Sequence, residues 1–476
     1  MLSLKLPAAI SRPVAYALGL FATKGLALIM LPILANHLSV EQIGQLELYT
    51  SSGVFFAMIL SLALHEALYR FAGHEACSDI QTKVAGEIYT LACMVAGISL
   101  TGLLLLITLA TTLFPLLPVQ AMLLLSLGVA SEGLIGLQLA WLRMQDRAGQ
   151  FLQVTVCICL LQVSLVALSL WLIPGVLSIL AASVITHFIQ FIWLQRLCRL
   201  PMQRPCIKRA REFVAYSLPI ALACLVAFTL NGAERWVIAA TDTIESLAYY
   251  AIAAKFALAL CILVQPFGMW WMPKRFAVLL NQGCGEATRI TQYGIIWVAL
   301  LCSAMAYFAP LFIQLTLPAN YHSAGQMVLL CLLAALFKEL TELVNLGLLA
   351  SKQTGKLLRF NLIAAGSGAL LIMTMLSWGV WGIITGLVLA QLTKLTLVYR
   401  ASQIAMALPY ALRRLTLVIV TAVTHLLISV HLSSWQLQLM MSLLAPLSVI
   451  LVALLAGLLP LPYWLRKNRI ATVERL

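Results

Sequence analysis

The sequence predicts an all-α integral membrane protein, and three observations lead to this prediction. Hydrophobic residues make up 62% of the 476 residues, and charged residues make up only 10%. The mean hydropathy is +1.00. Continuously apolar runs of about 20 residues, the length that crosses the hydrocarbon as a helix, follow one another along the chain. Membrane β-strands would instead alternate apolar and polar residues, so we expect helices and no separate soluble domain.

The apolar runs divide into fourteen predicted spans. Because this number is even, both termini are expected on the same side of the membrane. The predicted spans cover residues 13–36, 45–69, 85–110, 117–141, 151–173, 176–195, 213–240, 247–272, 291–316, 326–350, 357–378, 381–399, 411–431 and 438–459.

The basic residues support this count, because cytoplasmic segments of membrane proteins carry an excess of Lys and Arg. All but five of the 30 Lys and Arg residues lie in the terminal segments or near the inward ends of the spans, and residues 196–212 are the richest loop. This pattern predicts that both termini are cytoplasmic. It also explains the net charge of +14 as a topological signal, so we expect no nucleic-acid partner.

A faint internal repeat predicts the domain organisation. VEQIG at 40–44 is similar to IESLA at 244–248, and YRF at 69–71 is similar to KRF at 274–276. Both pairs follow corresponding spans six helices apart, which is typical of two parallel lobes with a substrate site at their interface. We therefore expect two six-helix lobes around a central cavity. The predicted boundaries are 1–204 and 205–407 for the lobes and 408–476 for two additional helices and a tail.

Charged residues inside the spans are candidate functional residues, because they are costly in lipid and usually face a cavity or a partner. Lys394 lies near an inner helix end, where its long side chain can reach the interface. The candidates for a substrate cavity are Lys24, Asn231, Arg235, Lys255 and Lys338. The candidates for counter-charges or proton coupling are Glu132, Glu234, Glu339 and Glu342.

Helical spacing groups several of these candidates. Asn231 and Arg235 are four residues apart and would share a face of one helix, with Glu234 beside them. Lys338 and Glu342 have the same spacing, on a polar stripe that must point away from lipid. Arg offers a rigid fork for phosphate oxygens and Lys a point charge, so a cavity with these cations suits an anionic head group.

Other kinds of chemistry find little support. The stretch ASKQTGKL at 350–357 lacks the first glycine and the hydroxyl residue of a phosphate-binding loop. The eleven cysteines form no metal-binding spacing. We expect neither an enzyme nor a cofactor.

Two stretches resemble a known family. Residues 24–71 contain LPILANHLSVEQIG and close on YRF, and residues 234–276 begin with ERW and end with WWMPKRF. They are similar to the polysaccharide flippases of the multidrug/oligosaccharidyl-lipid/polysaccharide exporter superfamily, of the O-antigen type. Residue by residue, Glu234 and Arg235 take the place of an Asp-Arg pair, Lys255 that of a lysine on the next helix, and Lys24 that of a polar or basic residue on the first.

The resemblance implies a function. Such proteins move an undecaprenyl-diphosphate-linked oligosaccharide, an O-antigen or exopolysaccharide repeat unit, from the inner to the outer leaflet of the bacterial cytoplasmic membrane. They work by alternating access, with an ion gradient as the expected energy source. A polysaccharide polymerase and a chain-length regulator are the implied partners. Fourteen spans are similar to the lipid II flippase branch, in which the last helix pair is associated with the lipid tail.

Two alternatives stay open at this point. A multidrug or cation exporter of the same superfamily would have a net acidic cavity. A polytopic polymerase or acyltransferase would need a large outer loop, a metal site or a His-Asp set. His187 is the only histidine deep in a predicted span, and we interpret it as a core residue.

Overall fold

The computed structural model describes residues 19, 25, 28–73, 77–113, 118–351 and 353–460. Within these residues the regular structure is helical, without a strand. The chain forms two compact units, Met1–Ala248 and Tyr249–Leu476. This division falls later than the predicted lobe boundary at 204/205, because the helices after residue 206 pack on helices near the start of the chain. The division into lobes stays a prediction.

The first unit contains nine helices among its described residues, and a tenth begins there. They are α1 Leu28–His37, α2 Val40–Leu60, α3 Leu64–Ala67 with a π-helical turn Leu68–Ala72, α4 Ser78–Leu113, α5 Val119–Met144, α6 Ala148–Leu172, α7 Val176–Cys198, α8 Ile207–Phe228, α9 Glu234–Thr241 and α10 Ile244–Trp271.

The second unit takes up most of α10 and contains the remaining described helices. They are α11 Arg275–Thr316, α12 Ala324–Val344, α13 Leu346–Ala350, α14 Thr354–Met375, α15 Gly379–Ala405, α16 Leu412–Ser429 and α17 Trp435–Leu455.

Eleven helical stretches in the described residues are long and apolar enough to cross a membrane. One of them, Gly355–Ala405, contains two helices, and two further predicted spans coincide with α1 and α12. The protein is therefore an all-α membrane protein with about fourteen spans, as predicted.

The predicted helix 213–240 is wrong in one respect, because the structure divides it into α8 and α9. Residues 229–233 form a turn between the two helices. Asn231 and Gly232 are typical turn residues. The ring of Phe228 lies so close to Gly232 that any side chain there would collide with it. Asn231 consequently lies outside the helix that carries Arg235.

Two more predicted spans are interrupted. The span 326–350 is broken at Asn345, which separates α12 from α13. The span 45–69 is broken after α2, where Leu62 and Ala63 both have φ near +49°. Left-handed backbone costs a non-glycine residue about 1–2 kcal/mol, so burial of Ala63 and Leu64 must hold this break in place.

The loop between α7 and α8 is held against α4. The backbone N–H of Gln203 donates to Thr90 Oγ1 at 2.8 Å. Arg209 Nη1 lies 2.8 Å from Glu87 Oε1, and the Glu87 side chain is only 8% exposed. Pro201 covers Gly86, where a larger residue would collide with its backbone. The basic loop predicted as a cytoplasmic linker is thus fastened at three points.

The two additional helices α16 and α17 pack on α11. Small residues such as Ala299, Ala422 and Ala453 are fully buried at this contact, and small residues allow membrane helices to approach closely. A polar contact adds to it: the hydroxyl of Tyr307 lies 3.0 Å from His425 Nδ1. His425 Nε2 lies 2.7 Å from Ser448 Oγ. Each of the three helices therefore contributes one polar side chain.

Candidate functional site

The guanidinium of Arg235 lies between two carboxylates. Its Nε donates to Glu47 Oε1 at 2.7 Å, and its Nη1 donates to Glu234 Oε1 at 2.7 Å. The side chains of Arg235, Glu47 and Glu234 are 17%, 16% and 3% exposed. Charge-assisted hydrogen bonds of this length are strong, so Arg235 joins α9 to α2 within the first unit.

The neighbouring residue Trp236 makes a second connection between the same helices. Its indole N–H donates to Ser52 Oγ at 3.0 Å. Its ring meets Phe55 edge-on, with centroids 4.7 Å apart, and lies 5.5 Å from the ring of Phe228. Since α9 has only eight residues, these contacts decide where it lies.

A third contact lies near the N-terminal end of α2. A Cβ atom on Gly44 would overlap the backbone carbonyl of Ile244, the first residue of α10. Gly44 belongs to the VEQIG copy of the repeat and Ile244 to the IESLA copy. The two copies therefore touch each other within the first unit.

The second unit holds a separate group of charges on helices that pack against each other. Arg275 Nη1 donates to Asn345 Oδ1 at 3.3 Å, and Asn345 Nδ2 donates to Glu342 Oε2 at 3.3 Å. Lys338 and Lys394 are within electrostatic range of each other and of Glu342, because α12 packs against α15. Three cations thus surround one carboxylate, an arrangement that we call the inner cationic cluster.

Two features of the inner cationic cluster suit an anionic ligand. Among the described residues, Arg275 Nε has no hydrogen-bond acceptor although it is buried. Glu342 is exposed, so one side of the cluster is accessible to a ligand. Asn345 is buried, so on the other side the cluster is held in place by packing. Phosphate oxygens accept charge-assisted hydrogen bonds from guanidinium and ammonium groups.

The sequence-predicted residues are thus distributed over several places. Arg235 and Glu234 come together, as do Lys338 and Glu342. Lys255 is half-buried on α10, and Glu339 is half-buried about 100° around α12 from Lys338. Asn231 is exposed and donates to the carbonyl of Ala227 at 3.0 Å. Lys24 lies outside the described residues.

Glu132 lines a cavity of its own in the first unit. This cavity of about 390 Å³ lies between α2, α5, α6 and α7. Its polar side chains are Thr50, Glu132, Gln162, Ser183, Thr186, His187 and Gln190. No Lys or Arg is among the described residues that line it.

Sequence reasoning missed four residues of these arrangements. Glu47, Arg275 and His187 were not candidates, and Lys394 was interpreted as a residue whose side chain reaches the membrane interface. Their partners are far apart in sequence, 188 residues for Glu47 and Arg235, and helical spacing carries no signal over that distance. For Lys394 the signal was present, since it lies within a span like Lys338. The described residues contain no cluster of His, Cys, Asp or Glu able to hold a metal ion.

Comparison with known proteins gives the family. The family model described as "Polysaccharide biosynthesis protein" matches residues 14–275, more than half of the chain. A search of curated proteins by sequence finds no match.

Solved structures show the same fold. The structure of the lipid II flippase MurJ in an inward closed conformation is similar with a TM-score of 0.68 and 14% identity, covering 91% of this chain and 97% of the flippase. A MOP superfamily transporter from Pyrococcus furiosus is similar with a TM-score of 0.58 and 14% identity, covering 83% of this chain and 95% of the transporter. A MATE transporter in complex with MaL6 is similar with a TM-score of 0.59 and 12% identity, covering 83% of this chain and 95% of the transporter.

These matches agree with the all-helical fold described above. The chain belongs to the polysaccharide biosynthesis protein family and has the fold of MOP superfamily transporters and flippases, which are not enzymes.

Proposed function

We propose that the protein moves an undecaprenyl-diphosphate-linked oligosaccharide from the inner to the outer leaflet of the bacterial cytoplasmic membrane. The movement occurs by alternating access and is driven by an ion gradient. The substrate is an O-antigen or exopolysaccharide repeat unit, which a polysaccharide polymerase and its chain-length regulator then use. Both termini face the cytoplasm, in keeping with the distribution of Lys and Arg.

The inner cationic cluster is the observation that carries this proposal. A diphosphate linkage has a negative charge on each phosphate. The inner cationic cluster has a net charge of +2, because it contains three cations, Arg275, Lys338 and Lys394, and one carboxylate, Glu342. Arg275 begins α11 and Asn345 follows α12, at helix ends that the Lys and Arg distribution predicts to face the cytoplasm, from which the substrate arrives in this proposal. The cluster therefore offers the diphosphate a first binding place.

Arg235 has a different role in this proposal from the one that the sequence predicted. Its guanidinium already donates to Glu47 and Glu234, so a phosphate would have to displace a carboxylate. We assign it to fixing α9 on α2. Lys24 and Lys255 stay proposed cavity residues, because they are basic residues inside predicted spans.

The direct test uses the purified protein in lipid vesicles. Vesicles receive a polyprenyl-diphosphate oligosaccharide in one leaflet, and a membrane-impermeant lectin reports its arrival in the other. We expect protein-dependent arrival that requires the diphosphate, with a polyprenol lacking phosphate as the control lipid. Transport of a fluorescent organic cation, without transport of the lipid, would contradict the proposal and favour a multidrug exporter.

A further inference from the structure

A stripe of polar side chains runs along one face of α7. Its four members have the spacing i, i+3, i+4 and i+7, and they are Ser183, Thr186, His187 and Gln190. Helix α7 is apolar and long enough to cross a membrane, and polar side chains inside a membrane usually face the protein interior or a cavity. All four line the first-unit cavity that also contains Glu132, which we call the polar cavity.

The other helices around the polar cavity add further hydrogen-bonding groups. Helix α2 contributes Thr50, α5 contributes Glu132 and α6 contributes Gln162. Gly128, one turn before Glu132 on α5, leaves space beside α7, because even a Cβ atom there would come within 3.9 Å of His187 Nδ1. A bulky side chain at position 128 would therefore fill the space in front of the imidazole.

Two of these groups are available to a ligand. His187 Nδ1 is buried and has no hydrogen-bond partner among the described residues, which is costly unless a bound molecule supplies one. Glu132 is accessible, and no described residue forms a hydrogen bond or an ion pair with its carboxyl group. By contrast, Gln162 Nε2 already donates to Ser183 Oγ at 3.0 Å. The polar cavity thus presents a carboxylate and an imidazole to a molecule that enters it.

The composition of the lining favours a neutral ligand that is rich in hydroxyl groups. The described lining contains no Lys or Arg and one carboxylate, Glu132, so it offers nothing to bind a diphosphate. It also contains no Phe, Tyr or Trp, so it lacks the aromatic cage that recognises a quaternary ammonium cation. Carboxylate, amide, imidazole and hydroxyl side chains together donate and accept hydrogen bonds, and a ligand hydroxyl does both.

The size of the polar cavity limits the ligand to a small unit. Its volume of about 390 Å³ lies near the lower end of the range for small-molecule sites, about 300–1,000 Å³. Such sites combine apolar walls with a few placed polar groups, and here Leu124, Leu180 and Val184 supply apolar wall. A sugar ring has C–H faces for these walls and hydroxyl groups for the polar side chains. The cavity would therefore admit part of an oligosaccharide and not a whole repeat unit.

We propose that the polar cavity binds a neutral sugar unit of the lipid-linked oligosaccharide. Hydroxyl groups of the sugar donate to the Glu132 carboxylate and pair with the His187 imidazole and the Gln190 amide. A site built to hydrogen-bond a hydroxyl group rejects analogues that lack it, so the cavity selects among repeat units that share the same diphosphate. The inference rests on the proposed function for the identity of its ligand. It gives Glu132 a role other than the counter-charge or proton coupling predicted from the sequence.

The first experiment measures binding without transport. The ligand is the oligosaccharide that mild acid releases from the lipid-linked repeat unit of the bacterium that makes the protein. At millimolar concentration it should raise the melting temperature of the purified protein, because a ligand of the native state stabilises that state. Gln190→Leu should raise the apparent Kd for the oligosaccharide about threefold to tenfold, the loss expected for one neutral hydrogen bond. Gln282→Leu, which alters an exposed amide outside the cavity, is the matched control.

A second variant tests the space and not the hydrogen bond. Gly128→Val removes no polar group but fills the space in front of His187, so it should weaken binding of the oligosaccharide as well. An oligosaccharide that does not stabilise the unaltered protein, or that binds Gln190→Leu and Gly128→Val as tightly as Gln282→Leu, overturns the inference. Stabilisation by the organic cation ethidium in place of the oligosaccharide also overturns it.

The second experiment measures competition in the vesicle assay. The released oligosaccharide should raise the apparent KM for the lipid-linked form, and this competition should be weaker in Gln190→Leu but not in Gln282→Leu. Lipid transport that the oligosaccharide leaves unchanged overturns the inference, while the proposed function stands. If the unaltered protein transports no lipid but the oligosaccharide still stabilises it by way of Gln190, the proposed function fails and the sugar site stands.

Discussion

Arg235 donates from Nε to Oε1 of Glu47 over 2.7 Å, although the two residues are 188 positions apart in the chain. The contact fixes the start of the short helix α9 on the middle of α2. It involves charges that are largely shielded from solvent, so it stabilises the first unit only as long as both partners are present.

The Arg235–Glu47 pair can be tested by a double-mutant cycle. Arg235→Gln leaves Glu47 and the buried Glu234 without this cation, and removing one partner of a buried pair costs about 3–5 kcal/mol. We expect a clear drop in the melting temperature of the purified protein. Glu47→Gln combined with Arg235→Gln should cost less than the sum of the single changes, with a coupling of about 0.5–3 kcal/mol.

An exposed ion pair provides the control for this cycle. Arg289 Nη2 lies 2.7 Å from Glu286 Oε1, and the arginine is 61% exposed. Its coupling should be below about 1 kcal/mol. Equal coupling in the two pairs would mean that the contact between α2 and α9 adds nothing to stability.

Gly44→Ala should destabilise the first unit. The new Cβ would overlap the carbonyl of Ile244, which is backbone and cannot rotate away, and overpacking of this kind costs about 1–3 kcal/mol. Gly97→Ala is the matched control, because nothing lies near its Cβ position and alanine favours the helix. Thermal melting of both variants gives the comparison. A lower melting temperature for Gly97→Ala than for Gly44→Ala would contradict the close approach.

Loss of a cation from the inner cationic cluster should weaken substrate binding. Hydrogen bonds to charged groups contribute about 1.5–3 kcal/mol, so Arg275→Gln, Lys338→Gln and Lys394→Gln should each raise the apparent KM for a lipid diphosphate about tenfold or more. Arg289→Gln, at an exposed position beyond the break in α11 at Gly283, should leave KM unchanged. A uniform fall in rate with constant KM would argue against phosphate binding at this cluster.

Tyr307→Phe should loosen the attachment of the two additional helices. The change removes the hydroxyl that meets His425 and leaves a partly buried imidazole nitrogen unpaired, at a cost of about 1–3 kcal/mol. Tyr293→Phe, on the same helix and without such a contact among the described residues, is the control. Melting temperatures compare the two, and transport rates should be similar in both. A Tyr307→Phe protein as stable as the control would show that apolar packing alone holds these helices.

The sequence predicted the membrane fold well because apolar length and Lys and Arg distribution act locally. Each span needs only its own run of residues, and each inward end needs only its own charges. The breaks in the spans were harder to predict. Turn residues marked the break at Asn231, whereas the break at Leu62 and Ala63 depends on packing that no local pattern reveals.

The candidate site was predicted only where its members share a helix. Lys338 and Glu342 were grouped correctly by their spacing, but Arg275 and Lys394 join them from other helices. The position of Asn231 was predicted from a continuous helix, which the turn at 229–233 removes. Spacing rules describe one element at a time, and ion pairs between elements require the tertiary structure.

The fastening of the loop between α7 and α8 has a consequence for how the chain can be cut. Gln203 and Arg209 each form a hydrogen bond with a residue of α4. The segments on both sides of the loop are therefore held by α4 and not only by the loop itself. Two fragments produced separately, ending and beginning within this loop, would find each other through the α4 contacts. An unbroken peptide chain in this loop would then not be needed for assembly of the first unit. The loop would also be a place where a label or a second protein could be inserted.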